Sequence, residues 1–143
     1  MPRFSTIKNM SPGQWALFTE ATLLLAFARF CLRFIPFHVY IRLLGCKIES
    51  HPNEEQIPYQ RLEAIHEEVR RAARNVPWNA VCLPQAMAAK WMLKFRRIDS
   101  TIIWGVDKAE DNTVKAHAWL KVGHFIVMGG ESHQGFTEIS MYR

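Results

Sequence analysis

Residues 76–86 read Val-Pro-Trp-Asn-Ala-Val-Cys-Leu-Pro-Gln-Ala, and the prolines in this stretch decide the fold. A proline has no N–H to give a helix and clashes with the preceding turn, so it is tolerated only in a first helical turn. Pro84 therefore fixes a helix start within about one residue of Cys82. The helix runs on to about Arg97, and Lys94, Arg96 and Arg97 suit the negative end of its dipole. A thiol at the start meets unpaired backbone N–H groups and the positive end of that dipole, and both favour the nucleophilic thiolate. The same N–H groups can stabilise an oxyanion. Two readings of Cys82 follow: a nucleophile, or a small packed hydrophobe of the kind free cysteines commonly form.

Upstream, Asn75 to Asn79 is a loop with Pro77 as its breaker. Before it, Tyr59 to Val76 is an amphipathic helix with Leu62, Ile65, Val69, Ala72 and Val76 on one face. Glu63, Glu67, Glu68, Arg70, Arg71 and Arg74 fill the other face as a solvated surface, with Glu67 and Arg71 spaced as an i,i+4 pair. Pro58 sits where that helix can begin. Lys47 to Pro58 is polar, carries Pro52 and Pro58, and reads as a linker. Further back, Trp15 to Leu44 is the most apolar part of the chain. A helix from about Gln14 to Phe34 and a short helical piece ending at Gly45 are expected there. Glu20, Arg29 and Arg33 interrupt the stretch. Its longest uncharged run, Ala21 to Ala28, is far below the roughly 20 residues of a spanning helix. This helix is apolar around most of its circumference, which predicts central burial or docking on something else.

Downstream the pattern changes. Ser100 to Val106, Val114 to Val122, His124 to Met128 and Phe136 to Tyr142 are extended candidates. Helices first and strands after is α+β order, with an antiparallel sheet rather than repeated βαβ units. The expected division is an N-terminal apolar helical region over 1–46 and a core over 47–143, together forming one compact unit.

The 143 residues are 49% hydrophobic and 22% charged, which excludes wholesale disorder. The net charge of +5 suits an acidic peptide or an anionic surface as well as nucleic acid. The basic residues are dispersed along helices without a nucleic-acid-binding motif, so no nucleic-acid partner is expected. Cys31, Cys46 and Cys82 make no disulfide framework and no C-x-x-C pair. They fit free thiols in a reducing cytoplasm, with Cys31 and Cys46 as packing residues. Met1 to Met10 lacks the apolar core of a secretory signal.

A thiol nucleophile needs a base within hydrogen-bond reach. His38, His51 and His66 lie in the helical half or the linker and read as surface or packing residues. His117 starts a strand between Ala116 and Ala118, whose small side chains leave room for another residue to approach the imidazole. It reads either as that base or as a satisfied strand histidine. His117, His124 and His133 lack a metal-ligand pattern, and no metal or other cofactor is expected.

The ordered set Val76-Pro77-Trp78, Cys82-Leu83-Pro84, Trp104-Gly105-Val106, Ala116-His117-Ala118-Trp119-Leu120 and Ile126-Val127-Met128-Gly129-Gly130 resembles the lasso peptide biosynthesis B2 proteins. These are leader peptidases of the transglutaminase-like cysteine protease superfamily. The resemblance covers most of the chain, including the apolar N-terminal helix. It implies a papain-like or transglutaminase-like core, in which a nucleophile-bearing helix packs on a small antiparallel sheet. Cys82 matches the family nucleophile and His117 the base, with Trp78 and Trp119 as substrate contacts. The implied reaction releases the leader from a ribosomally made precursor of a modified peptide.

Superfamily members usually place an Asp on the strand after the histidine. Pairing across Val122-Gly123 sets Met128 opposite His117, with Gly129 and Gly130 next, and none is a carboxylate. Asp107, Glu131 and a backbone carbonyl remain the candidates, since the task is to fix the imidazole tautomer. The catalytic region is preceded by about two helices' worth of chain rather than by a winged-helix leader-binding domain. The resemblance therefore implies a separate B1 protein carrying the RiPP recognition element, and a separate ATP-dependent lasso cyclase. Trp15 to Phe34 is expected at that partner contact or at a peripheral membrane assembly. A non-catalytic peptide-binding or scaffold subunit and a transamidase are the rival functions.

Overall fold

The fold comes from a computed structural model that describes residues 9–49, 56–108, 112–130 and 134–143. Helix α1 spans Pro12–Phe34, two residues earlier than the apolar pattern predicts. The reason is a capping box: Ser11 Oγ accepts from the Gln14 N–H, and Gln14 Oε1 accepts from the Ser11 N–H at 2.9 Å. Pro12 occupies the first turn, where its missing N–H costs nothing. Pro36 ends the helix by holding Ile35 in extended backbone. Helix α2 (Phe37–Tyr40) and a 3₁₀ turn (Ile41–Leu44) follow, stopping at Gly45.

Helix α3 covers Tyr59–Asn75 and α4 covers Cys82–Phe95, so the helix start fixed by Pro84 falls where the sequence places it. The strands are β1 (Lys47–Ile48), β2 (Thr101–Lys108), β3 (Val114–Val122), β4 (Phe125–Met128) and β5 (Thr137–Tyr142). They form one antiparallel sheet in the order β1-β5-β2-β3-β4. The fold is α+β.

Two expectations about the sheet change. Lys47 and Ile48 belong to the sheet, paired with Tyr142 and Met141, and are not linker. The β3–β4 hairpin turns on Gly123 and His124, pairing Val122 with Phe125, and carries a register shift between Leu120 and Lys121, so Met128 lies opposite Leu120 and not opposite His117.

The sheet has two apolar faces. Ile102, Leu120, Val122 and Val127 pack with the helices, and Ile103, Trp119 and Met141 form a smaller cluster with Ile48, Ile126 and Phe136. Helix α4 lies on β3 and is itself covered by α1 and α3. The main core joins Leu25, Ala28 and Cys31 of α1 to Leu62 and Val69 of α3 and Met87 and Met92 of α4. It therefore runs across the 46/47 division.

Two charges are buried within this frame. Glu68 is 2% exposed and bound by Arg71 Nη1 at 2.6 Å, so it does not lie on the solvated face, and Arg71 pairs with it rather than with Glu67. Burial pushes the Glu68 carboxyl above its ordinary range despite Arg71. Lys90 is 5% exposed and donates to the Ser100 carbonyl at 2.6 Å. At the far end, Arg96 forms a fork with both oxygens of Glu20, at 2.8 and 2.7 Å, and ties α4 to α1.

Candidate active site

Cys82 is the first residue of α4, half-buried, with Val81 as the N-cap. Val81 has no side chain able to cap, and Pro84 has no N–H. The main-chain N–H groups of Cys82 and Leu83 are therefore left without partners inside the helix. The approach to this end is braced by Gln85, whose Nε2 donates to the Ala80 carbonyl at 2.6 Å.

Cys82 opens into a cleft of about 440 Å³ with three walls. Helix α3 contributes His66, Arg70, Ala73 and Arg74. The α3–α4 loop contributes Trp78, Asn79, Ala80 and Val81. The end of β4 and its turn contribute Met128, Gly129 and Gly130. Trp78 is half-buried; its Nε1 is itself buried and has no partner among the described residues, although a buried indole N–H normally finds one.

His117 stands on β3 opposite Gly105 of β2, and its Nε2–H donates to the Gly129 carbonyl at 2.9 Å. It does not line the cleft; it adjoins it through Gly129, which holds the imidazole with its oxygen and walls the cleft with its backbone. The ring stacks on Trp119 at 5.8 Å between centroids and touches Phe136 at 5.3 Å. Strand alternation puts His117 and Trp119 on one sheet face and Ala118 and Leu120 on the helix-facing side.

Gly105 and Gly129 both serve this arrangement. A Cβ on Gly105 would lie 2.6 Å from the Trp119 ring. Gly129 has φ +80°, and a Cβ there would lie 2.8 Å from the Ala118 carbonyl oxygen.

The other expected residues fall as follows. Asp107 is paired across the sheet with Lys115, two residues beyond Gly105. Its carboxylate has no hydrogen-bond or ion-pair partner among the described residues, and the acceptor holding His117 is the Gly129 carbonyl. Glu131 lies outside the described residues, as do His51 and His133. Trp119 is 2% exposed inside the second cluster, which leaves no indole surface for a peptide; its contact is with His117. Cys31 is buried, as expected of a packing residue, and burial pushes its thiol up. Cys46 is exposed and is not a packing residue. Among the described residues, no group of three His, Cys, Asp or Glu side chains is placed to hold a metal ion.

His66 is the residue sequence reasoning missed. It is half-buried, lines the cleft with Cys82, and donates from Nδ1 to the Val127 carbonyl at 2.6 Å. That bond leaves Nε2 with the free lone pair of a neutral ring. The available signal was its place beside Ile65, on the border of the buried face of α3.

The cleft joins the Cys82 thiol to His66, with His117 adjoining it through Gly129, and a thiol nucleophile needs such an imidazole within reach. The family model of the transglutaminase-like superfamily matches residues 22–141, and the chain belongs to that superfamily, which includes cysteine peptidases. No curated protein and no solved structure matches the chain.

Proposed function

We propose that this protein is a cysteine peptidase that removes the leader from a lasso-peptide precursor in the cytoplasm, working with a separate B1 leader-binding protein and upstream of a lasso cyclase. One observation carries the peptidase reading: Cys82 sits at a helix start with no side-chain cap and opens into a cleft of about 440 Å³. The ordered motifs around Trp78, Cys82, His117 and Gly129-Gly130 support the narrower assignment to leader removal.

In this mechanism the Cys82 sulfur attacks the carbonyl carbon of the last leader residue. The N–H groups of Cys82 and Leu83 receive the oxyanion. The thiol proton passes through an imidazole to the leaving amine, the C–N bond breaks, and the core peptide departs with a free N-terminus. Water then attacks the thioester, yielding the leader carboxylate and the free thiol. The resemblance gives the base to His117: with Nε2–H held by the Gly129 carbonyl, Nδ1 carries the lone pair, and the ring must turn from the Trp119 face of the sheet toward Cys82 to exchange the proton.

A second reading gives the proton transfer to His66, because His66 and not His117 lines the cleft with Cys82. Incubating the protein with precursor and B1, and following leader release by mass spectrometry, separates these readings. Cys82→Ala abolishes release. His117→Ala lowers it by about 10²–10⁴-fold if His117 is the base, and His66→Ala does so if His66 is. Leader binding without cleavage by the wild type would replace the peptidase with a scaffold subunit.

A further inference from the structure

The outward side of α1 is apolar although it faces solvent. Leu23, Phe27, Phe30 and Phe34 recur at three-and-four spacing and so share one stripe, with Leu23 66%, Phe30 51% and Phe34 67% exposed. Phe30 and Phe34 touch at 5.1 Å between ring centroids. Beneath the stripe, buried Trp91 lies against Phe27 and donates from Nε1 to the carbonyl of exposed Leu43, which ties the 3₁₀ turn to this flank. Exposed large apolar side chains gathered on one helix face mark an interaction site.

The charges beside it have one sign. Arg29, Arg33 and Arg42 are exposed, and the Arg33 guanidinium lies over the Phe34 ring at 5.3 Å. Glu20 is the one acid from Pro12 to Ile48, and both its oxygens are engaged by Arg96. Helix α1 is the one helix among the described residues long and apolar enough to cross a bilayer. Its inner face, however, is packed against α3 and α4 through Ala21, Leu25, Ala28 and Cys31. Spanning would strip that core, whereas lying flat would leave it intact. The presented surface is a helix flank with exposed phenyl rings, the Arg33 guanidinium over one of them and Arg29 and Arg42 exposed on the same segment. That is the composition of a helix resting in a headgroup layer.

We infer that the Leu23–Phe34 flank of α1, with Arg29, Arg33 and Arg42, docks the protein peripherally on an anionic lipid surface. This stands apart from the peptidase reading and survives its failure.

The test is co-sedimentation of the full chain with vesicles of phosphatidylcholine alone or mixed with phosphatidylglycerol. The wild type is expected to bind the mixed vesicles at least ten-fold more tightly, and added salt to release it. Phe30→Ser with Phe34→Ser should abolish binding while the circular dichroism spectrum is kept. Arg29→Gln with Arg33→Gln, which leaves the apolar stripe and the core untouched, should reduce binding to the phosphatidylcholine level; it decides the matter if the Phe variant fails to fold. A folded wild type that stays in the supernatant with mixed vesicles overturns the inference. So does light scattering that shows a dimer which the Phe variant dissolves and vesicles leave intact, because the stripe is then a contact between two copies.

Discussion

The Nε2 of His117 lies 2.9 Å from the carbonyl oxygen of Gly129, so of the three candidates for orienting this imidazole it is a backbone carbonyl that touches it. A carbonyl fixes the tautomer as a carboxylate does but adds no negative charge to stabilise an imidazolium. It also makes the histidine depend on one backbone conformation, and Gly129 holds that conformation at φ +80°.

Gly129→Ala should therefore damage activity more than fold. The new Cβ meets both a left-handed backbone and the Ala118 carbonyl oxygen, a strain of about 1–3 kcal/mol. Denaturant unfolding should show a loss of that order, while kcat for leader release falls by more than ten-fold because His117 loses its anchor. An unchanged kcat would remove Gly129 from the mechanism.

Trp78→Phe should separate binding from chemistry. The buried Nε1 has no partner among the described residues, so removing it costs the fold little, while the smaller ring gives up apolar surface that lines the cleft. At about 1 kcal/mol of lost contact, KM should rise by about five-fold with kcat nearly constant. A fall in kcat at fixed KM would place Trp78 against the reacting atoms instead.

The three thiols should label in a fixed order. Iodoacetamide at neutral pH is expected to modify Cys82 first, then exposed Cys46, and Cys31 only on unfolding, because Cys31 is fully buried and burial pushes its thiol up. Peptide mapping over time reads the order. Cys46 ahead of Cys82 would argue against an activated Cys82.

Much of this site was legible in the sequence because it hangs on local punctuation. Pro84 fixes the start of α4, and with it Cys82, from one residue's geometry. The Leu62, Ile65, Val69, Ala72 periodicity gives α3 to within a residue. What was hidden is non-local. The β1 strand is two residues long and exists only because Tyr142 and Met141 reach it. The turn at Gly123-His124 and the irregularity at Leu120 and Lys121 together move Met128 three positions from its expected partner, and no residue announces the irregularity. His66 looked like surface because its role depends on α3 lying beside the Val127 carbonyl. Glu68 looked solvated because helical spacing alone does not show how far the neighbouring helices wrap around α3.

Lys90 makes stability depend on alkaline pH. Burial first, and repulsion from Lys94 second, lower its pKa from 10.5 to about 8. A depressed folded-state value means stability is fully present above 10.5 and is lost as pH falls through about 8. Each pH unit between the two values is worth about 1.4 kcal/mol. Lys90→Met should flatten the rise in unfolding free energy that the wild type shows across this range, as read by denaturant titration at several pH values. An equal slope in both proteins would show that Lys90 titrates freely.

The central claim is that the leader is transferred to the Cys82 sulfur. The most direct measurement is acid quenching of the protein with precursor and B1 during turnover, followed by intact mass and peptide mapping. The account predicts an adduct equal to the leader acyl group on the Cys82 peptide, absent in Cys82→Ala. Leader released at the wild-type rate by Cys82→Ala, or an adduct carried by another residue, would contradict it.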